Sequence, residues 1–204
     1  MARGFNEREK EYITDALVEQ GKKLFTQYGL HKTSIQDITQ SVGIAPGSFY
    51  KFFDSKEELY FGILEMEEEK IKEQFANIDL SQAEQPKEVI KRTIKKMIQM
   101  VDANPLIREL YFGSTMKNLV KKLPSEVLEK HFEKDTSSLL FVIEEWETEG
   151  VVFSEKAEVI AGVLRSLFVM MLHQQEIGQE VYEETMELFI DSIVDHLVKE
   201  GGDK

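Results

Sequence analysis

Residues 33–59 read TSIQDITQSVGIAPGSFYKFFDSKEEL, and this stretch decides the fold. Two overlapping capping frames open it, Thr33 with Gln36 and Ser34 with Asp37, and either predicts a helix start. That helix stops near Ser41. After the turn Val42-Gly43-Ile44, Pro46 suits the first position of a new helix, where its missing N–H would be unpaired anyway. This next helix is brief, because Ser55-Lys56-Glu57-Glu58 is a further capping box. It opens a long helix through Leu59, Ile63, Met66, Ile71 and Phe75. Two short helices joined by a Gly-containing turn form a helix-turn-helix, whose second member enters the major groove of DNA.

Upstream, Ile13, Ala16, Leu17, Gly21, Leu24, Phe25 and Tyr28 recur at helical spacing, and Gly29 stands where a left-handed C-terminal cap is expected. Downstream, the prolines Pro86, Pro105 and Pro124 each restart an apolar 3.6-residue pattern, and no run of alternating β-branched residues occurs. Asp79–Gln85 reads as a linker. Helices are predicted at about 87–103, 105–122, 125–149, 156–175 and 179–199. The fold class is therefore all-α.

The 204-residue chain is long enough to bury a core without a metal or disulfide staple, and it has no cysteine. Its first residues, MARGFNEREKEY, lack the apolar run of a signal peptide, and no stretch is long and uncharged enough to span a bilayer. A soluble, cytoplasmic protein is expected. The net charge of −13 argues superficially against nucleic acid. Its distribution does not: residues 1–56 hold eight Lys and Arg against seven Asp and Glu, leaving 17 against 31 in the remainder. Within residues 22–56 five lysines (22, 23, 32, 51, 56) face only Asp37 and Asp54. The acid lies almost wholly in the rear.

Ala16, Leu17, Leu24, Phe25, Gly29, Thr33, Ser34, Ile35, Ile38, Val42, Gly43, Gly47, Phe49, Tyr50, Phe53, Lys56 and Leu59 together resemble the signature of tetracycline-repressor (TetR) type regulators. The resemblance covers roughly residues 10–60. It implies a three-helix DNA-binding head (residues 1–54) followed by a helical effector-binding and dimerisation body (residues 55–204), with the dimer built from the last two helices. It further implies that Thr33, Tyr50 and Lys56 anchor the DNA backbone, while Pro46, Gly47, Ser48 and Lys51 lie over bases or adjacent phosphates. Ser34 joins this DNA-binding set. Where many relatives have His before the inward Phe, this chain has Phe52.

The residues support that transfer on their own. Phe49 and Phe53 lie four apart and face inward, which turns Gly47, Ser48, Lys51 and Phe52 outward. Lys56 falls in the first turn of a helix, where the positive end of the dipole disfavours a cation. A phosphate shared between its ammonium and the free N–H groups would relieve the conflict.

The body is rich in Met and aromatic residues, and an apolar effector cavity is expected from Met97, Met100, Asn104, Arg108, Tyr111, Phe112, Met116, Phe141, Phe168 and Met171. For any one of the Met and aromatic residues core packing is the commoner role, and for Asn104 and Arg108 capping, a dimer contact or solvent exposure. His173 reads more readily as an interface histidine than as a ligand. The segment Ala157–Leu172 is apolar nearly all round and must be covered on several sides. The last helix carries a stripe at Tyr182, Met186, Phe189, Ile190, Ile193 and Leu197. A dimer interface through Leu164, Leu167, Met170, Phe189, Ile193 and Leu197 is expected, although both helices could equally be internal to a monomer.

No enzyme is expected. A di-iron bundle needs Glu-x-x-His pairs, yet Tyr28, Leu128, Met170 and Ile193 stand three before His31, His131, His173 and His196. No phosphate loop, dinucleotide fingerprint or nucleophile elbow is present. Neither a cofactor nor a metal site is expected. The partners are a double-stranded DNA operator, a small-molecule effector and a second copy of the chain, with no membrane. The rival reading is a helical partner-binding module without specific DNA binding. Effector binding in the body would move the long fourth helix that ties body to head, so that the two recognition helices no longer match successive grooves.

Overall fold

A computed structural model describes residues 5–76, 85–112 and 115–199. Within these ranges a few helix side chains, those of Phe75, Tyr111, Phe112 and Leu172 among them, lie outside the described set. Nearly all of the expected linker 79–85 also falls outside it. The described chain is helical, and its one extended feature is an isolated antiparallel bridge between Phe153 and Val198. By packing it divides into one compact unit of residues 1–69 with 105–125 and another of 70–104 with 126–204.

In the first unit, α1 (Glu7–Lys32) begins with a capping box not foreseen from the sequence. Asn6 Oδ1 accepts from the Glu9 N–H at 2.9 Å, and Glu9 Oε2 accepts from the Asn6 N–H at 2.7 Å. Ile13, Leu17, Gly21 and Phe25 form the buried stripe of α1. Gly21 is required by close approach: a Cβ there would stand 3.0 Å from a Leu59 methyl and 3.2 Å from an Ile63 methyl. The absent side chain thus brings α1 onto α3 (Lys56–Ala76). Gly29 does not end the helix in the left-handed conformation. Its φ of 76° and ψ of 166° make a kink, after which one more turn buries Leu30.

Of the two capping frames before α2 (Ile35–Val42), Ser34 with Asp37 is used. Thr33 is unavailable because it is the C-cap of α1, and its hydroxyl donates to the Gly29 carbonyl at 2.9 Å. The turn after α2 follows from Gly43, whose φ of 79° and ψ of 27° are left-handed. Pro46–Lys51 then forms a 3-10 helix, and Phe49 at its centre is fully buried. The expected helix 105–122 is described as α5 (Pro105–Phe112) and α6 (Thr115–Lys122). Tyr60 of α3 donates its hydroxyl to the Leu106 carbonyl at 3.0 Å. Burial, aided by the nearby Glu109 charge, pushes the phenol well above its ordinary pKa and keeps it a donor.

The second unit contains α4 (Pro86–Ala103), α7 (Ser125–Thr148), α8 (Ala157–Leu172), the single turn α9 (Gln174–Ile177) and α10 (Tyr182–Leu197). Ile90, Ile94, Ile143, Trp146, Ile160, Leu164, Leu167, Met171, Ile190 and Val194 make its core. Beside that core, lysines at every fourth position of α4 meet acids at every fourth position of α10. Lys91 Nζ lies 2.9 Å from Asp195 Oδ1 and 3.0 Å from Glu88 Oε1, and Lys95 Nζ lies 3.2 Å from Asp191 Oδ1. Lys87 reaches the Asp195 carbonyl at 3.3 Å.

The bonds from Asp195 and Glu88 raise the Lys91 pKa above the ordinary lysine value. A raised amine pKa stabilises the fold fully below the unfolded pKa of about 10.4, and the contribution fades as pH climbs through the folded value. Lys91→Met should therefore melt below the unmodified protein at pH 7–9, and the difference between the two should shrink above about pH 10.5. Paired thermal melts across this range measure it; a difference that grows with pH would contradict the seam.

Candidate nucleic-acid interface

The outer surface of the head is organised by the 3-10 helix. Three residues per turn eclipse positions i and i+3, so Pro46, Phe49 and Phe52 fall on one face, Gly47 and Tyr50 on a second, and Ser48 and Lys51 on a third. Phe49 holds this helix in the head: its ring centroid lies 5.9 Å from Phe53 and 5.7 Å, edge-on, from Tyr50. Pro46, Gly47, Tyr50 and Lys51 are exposed, and Ser48 is half-buried. Phe52 departs from the expected outward placement. It caps the C-terminal end of the 3-10 helix, is half-buried, and its ring lies 5.7 Å from that of Phe5. Ser48, half-buried, and Lys51, exposed, share one face by this spacing.

Lys56 is also placed differently from the expectation that a phosphate resolves its conflict with the α3 dipole. Its ammonium donates to the carbonyls of Leu30 at 2.8 Å and Thr33 at 2.7 Å. Those oxygens close the C-terminal end of α1, where the dipole is negative and lysine is favoured. Thr33 is buried, and its hydroxyl points at α1. Ser34 remains at the surface as the N-cap of α2, with its N–H and hydroxyl both bonded to Asp37 Oδ2. The hydroxyl bond first, and the N–H second, hold the Asp37 carboxyl below its ordinary pKa, so α2 starts with a fixed negative charge.

A groove of about 410 Å³ runs along the crease between α2 and the 3-10 helix, lined by Gln36, Thr39, Gln40, Gly43, Ile44 and Pro46. Sequence reasoning did not place Gln36 and Gln40, exposed amides that can both donate and accept, among the DNA-contact residues. Phe5 was missed as well. The one available signal was its place just before the Asn6 cap.

This geometry has relatives. Residues 17–63 match the family described as bacterial regulatory proteins, tetR family. Over those residues the head is similar to that of the TetR-type bacterial regulators. A Lactococcus lactis subsp. lactis protein, described as an uncharacterized HTH-type transcriptional regulator in the lacX 3′ region, is 27% identical over 118 residues. The match takes in 58% of this chain and 57% of that protein, so the chain spans little more than half the length of this relative. Among solved structures, a TetR-family regulator from Mesorhizobium loti superposes with a TM-score of 0.66 at 17% identity, covering 91% of this chain and 95% of the other. SmeT, the repressor of the Stenotrophomonas maltophilia multidrug efflux pump SmeDEF, superposes with a TM-score of 0.59 at 15% identity, over 92% and 91% of the two chains. At such identities the structural likeness shows the fold. No helix among the described residues is long and apolar enough to cross a membrane.

The expected effector residues divide between the two units. Arg108 is exposed on α5 and Met116 is half-buried on α6, both in the first unit. In the second, Met171 is buried in the core with Phe168 packed against it, and Met97 and Met100 are half-buried on α4. Asn104 caps α4, its N–H bonded to the Val101 carbonyl at 3.2 Å. Phe141 is 53% exposed on α7. The side chains of Tyr111 and Phe112 lie outside the described set.

The expected dimer residues divide too. Leu164, Leu167 and Leu197 are buried in the core of their own unit, whereas Phe189 is exposed and Met170 and Ile193 are half-covered.

The Lys56 clamp makes a direct prediction. Lys56→Ala strips two charge-assisted bonds from the end of α1, and the head should lose about 1.5–3 kcal/mol of stability per strong bond removed at most. Lys56→Arg should recover only part of this, because a planar fork does not fit two carbonyls shaped around an ammonium. Denaturant melts followed by far-ultraviolet circular dichroism measure both; an unchanged Lys56→Ala midpoint would refute the clamp.

Proposed function

We propose that the chain is a homodimeric transcriptional repressor that binds a near-palindromic operator and is released by a small, largely apolar effector. Residues 1–54 would serve DNA and residues 55–204 the effector and the dimer. The observation that carries the reading is exposed Lys51, on the same face as half-buried Ser48 and beside exposed Gly47 and Tyr50, on a helix anchored by fully buried Phe49. A rigid element offering a hydroxyl, an ammonium and an open backbone suits the edge of a base pair and its flanking phosphates. Tyr50 and Ser34 are the backbone contacts. Lys56 would add a phosphate only through whatever its two carbonyl bonds leave free. The repressor reading is supported by the description of SmeT as a repressor. The apolar effector rests on the Met and aromatic residues around Phe168 and Met171.

The dimer reading keeps Phe189 and replaces the buried leucines with other uncovered apolar positions. With Leu164, Leu167 and Leu197 internal, the uncovered apolar positions are Val159 and Val169 on α8 and Leu188 and Phe189 on α10. Gly162 and exposed Ser166 lie at helical spacing between the two valines, and small residues there would admit a close helix from a second copy. Phe189→Glu combined with Val169→Glu should give a folded monomer by light scattering. Leu167→Glu should unfold the unit instead, because it strands an unpaired charge in the core. A monomeric unmodified protein at micromolar concentration would refute the dimer.

Selection from a random duplex library is the deciding experiment for DNA. The unmodified protein should enrich a near-palindrome with half-sites about one helical turn apart or slightly more. Lys51→Ala and Ser48→Ala should change which bases are preferred, while Tyr50→Phe should weaken all duplexes alike. Failure to enrich any sequence would leave a helical partner-binding protein as the reading.

A further inference from the structure

The entrance to α1 lacks a partner it would ordinarily have. A capping box is commonly accompanied by a hydrophobic staple, in which the apolar residue before the cap packs on the fourth helical residue. Here the cap is Asn6, the preceding residue is Phe5 and the fourth helical residue is Lys10, whose ammonium lies 2.8 Å from Glu7 Oε1. Phe5 therefore has no apolar neighbour at the staple position. Its ring instead crosses to the end of the 3-10 helix. The Phe5 and Phe52 centroids are 5.7 Å apart with planes at 44°, and Lys51 Nζ sits 5.1 Å from the Phe5 centroid.

We propose that Phe5 is a positioning residue for operator recognition, which holds the Lys51 ammonium at one place on the DNA-facing edge of the 3-10 helix. The inference rests on the DNA-binding reading above and adds to it a residue outside the helix-turn-helix. Lysine is a compact charge on a flexible four-carbon stem, and an exposed one samples many rotamers. Among the described residues Lys51 has no ion pair or hydrogen bond, so the Phe5 ring is the group that restrains it. The face of an aromatic ring attracts a cation through its quadrupole. It approaches from one side and leaves N–H donors open to a phosphate or base on the other. Lys51 remains exposed, which fits presentation and not concealment.

Phe5 is itself held from two directions. The Asn6 backbone next to it is fixed by both bonds of the capping box. Its ring rests on half-buried Phe52, the C-cap of the 3-10 helix. The start of α1 and the end of the recognition element are thereby joined through Phe5. A cation restrained before contact loses less freedom on binding, and the gain appears as affinity at the bases it faces.

The test uses the full chain and the duplex that the unmodified protein selects from a random library, with fluorescence anisotropy as the readout. Phe5→Leu keeps bulk against Phe52 but removes the ring face; Phe5→Tyr keeps both. Phe5→Leu should weaken the selected duplex by about three- to tenfold and narrow its margin over duplexes changed at the bases that Lys51→Ala affects. Phe5→Tyr should match the unmodified protein. In a Lys51→Ala background Phe5→Leu should cost nothing further, and thermal melting should stay unchanged in all these variants.

Equal binding by Phe5→Leu and the unmodified protein would overturn the proposal. So would tighter binding by Phe5→Leu, since Phe5 would then mask Lys51, and so would an undiminished loss in the Lys51→Ala background. If the unmodified protein enriches no duplex, the DNA-binding reading itself falls, an outcome distinct from a variant that binds as well as its parent.

Discussion

The head depends on a single ammonium. Lys56 reaches back from the first turn of α3 to the carbonyls of Leu30 and Thr33. One charge thus satisfies the end of α1, fixes the residue next to the Ser34 cap of α2 and sets where α3 begins. The alternatives would be costly, because carbonyls at a helix end need partners and water reaches a part-buried end poorly. The kink at Gly29 contributes to the same arrangement. Without it the last turn of α1 would not swing Leu30 into the core and its carbonyl toward Lys56. A lysine unfavourable for its own helix is favourable for another, so the sum over both dipoles, and not the local sign, decides its place.

The fold class and the order of the head helices were legible because capping boxes, a proline start and a glycine stop are local chemistry. Ser34 with Asp37 forms the reciprocal box that its spacing predicts, with Asp37 N–H on Ser34 Oγ at 3.1 Å, whereas Ser55 Oγ takes the Glu58 N–H at 3.0 Å but the Glu58 carboxylate accepts from the Asp54 N–H instead. What sequence could not supply was the choice between competing uses of one residue. Thr33 could have capped α2, and it closes α1 instead. The four-residue spacing from Phe49 to Phe53 holds, with their rings 5.9 Å apart and the Phe53 N–H on the Phe49 carbonyl at 3.2 Å, although Pro46–Lys51 itself takes the tighter 3-10 winding. Phe52 follows that helix as its C-cap and is half-buried against Phe5. Phe5 was illegible for a related reason, since its partner lies on another element and only the missing staple hinted that its ring must go elsewhere.

In the rear, the helices were legible and their surroundings were not. The apolar stripe of α10 includes both Met186, Ile190, Val194 and Leu197, which are buried, and Phe189, which is exposed. Periodicity marks a face as apolar without saying whether the cover comes from the same chain or another. This is why Leu164, Leu167 and Phe189 were grouped in sequence and separated in structure. The packing also ignores chain order. Pro105–Ser125 joins the unit that holds the head, and Tyr60 is tied to the first turn of α5. No composition shift marks that exchange.

The large acidic excess acquires a structural use in α10. Its carboxylates at 187, 191 and 195 line the edge that meets Lys95 and Lys91 of α4, while Leu188 and Phe189 stand uncovered beside them. An exposed pair of opposite charges contributes little, but a ladder on a four-residue repeat fixes register, because sliding α10 by one turn would leave an end charge without its partner. Register on the α4 side dictates which α10 residues face outward. A second copy packing on Leu188 and Phe189 would meet a surface whose position is already set by the lysines of α4. Any shift of α4 along its axis would then have to break the ladder or carry the outer apolar face with it, and this makes α10 the element on which the placement of α4 and the outer surface depend together.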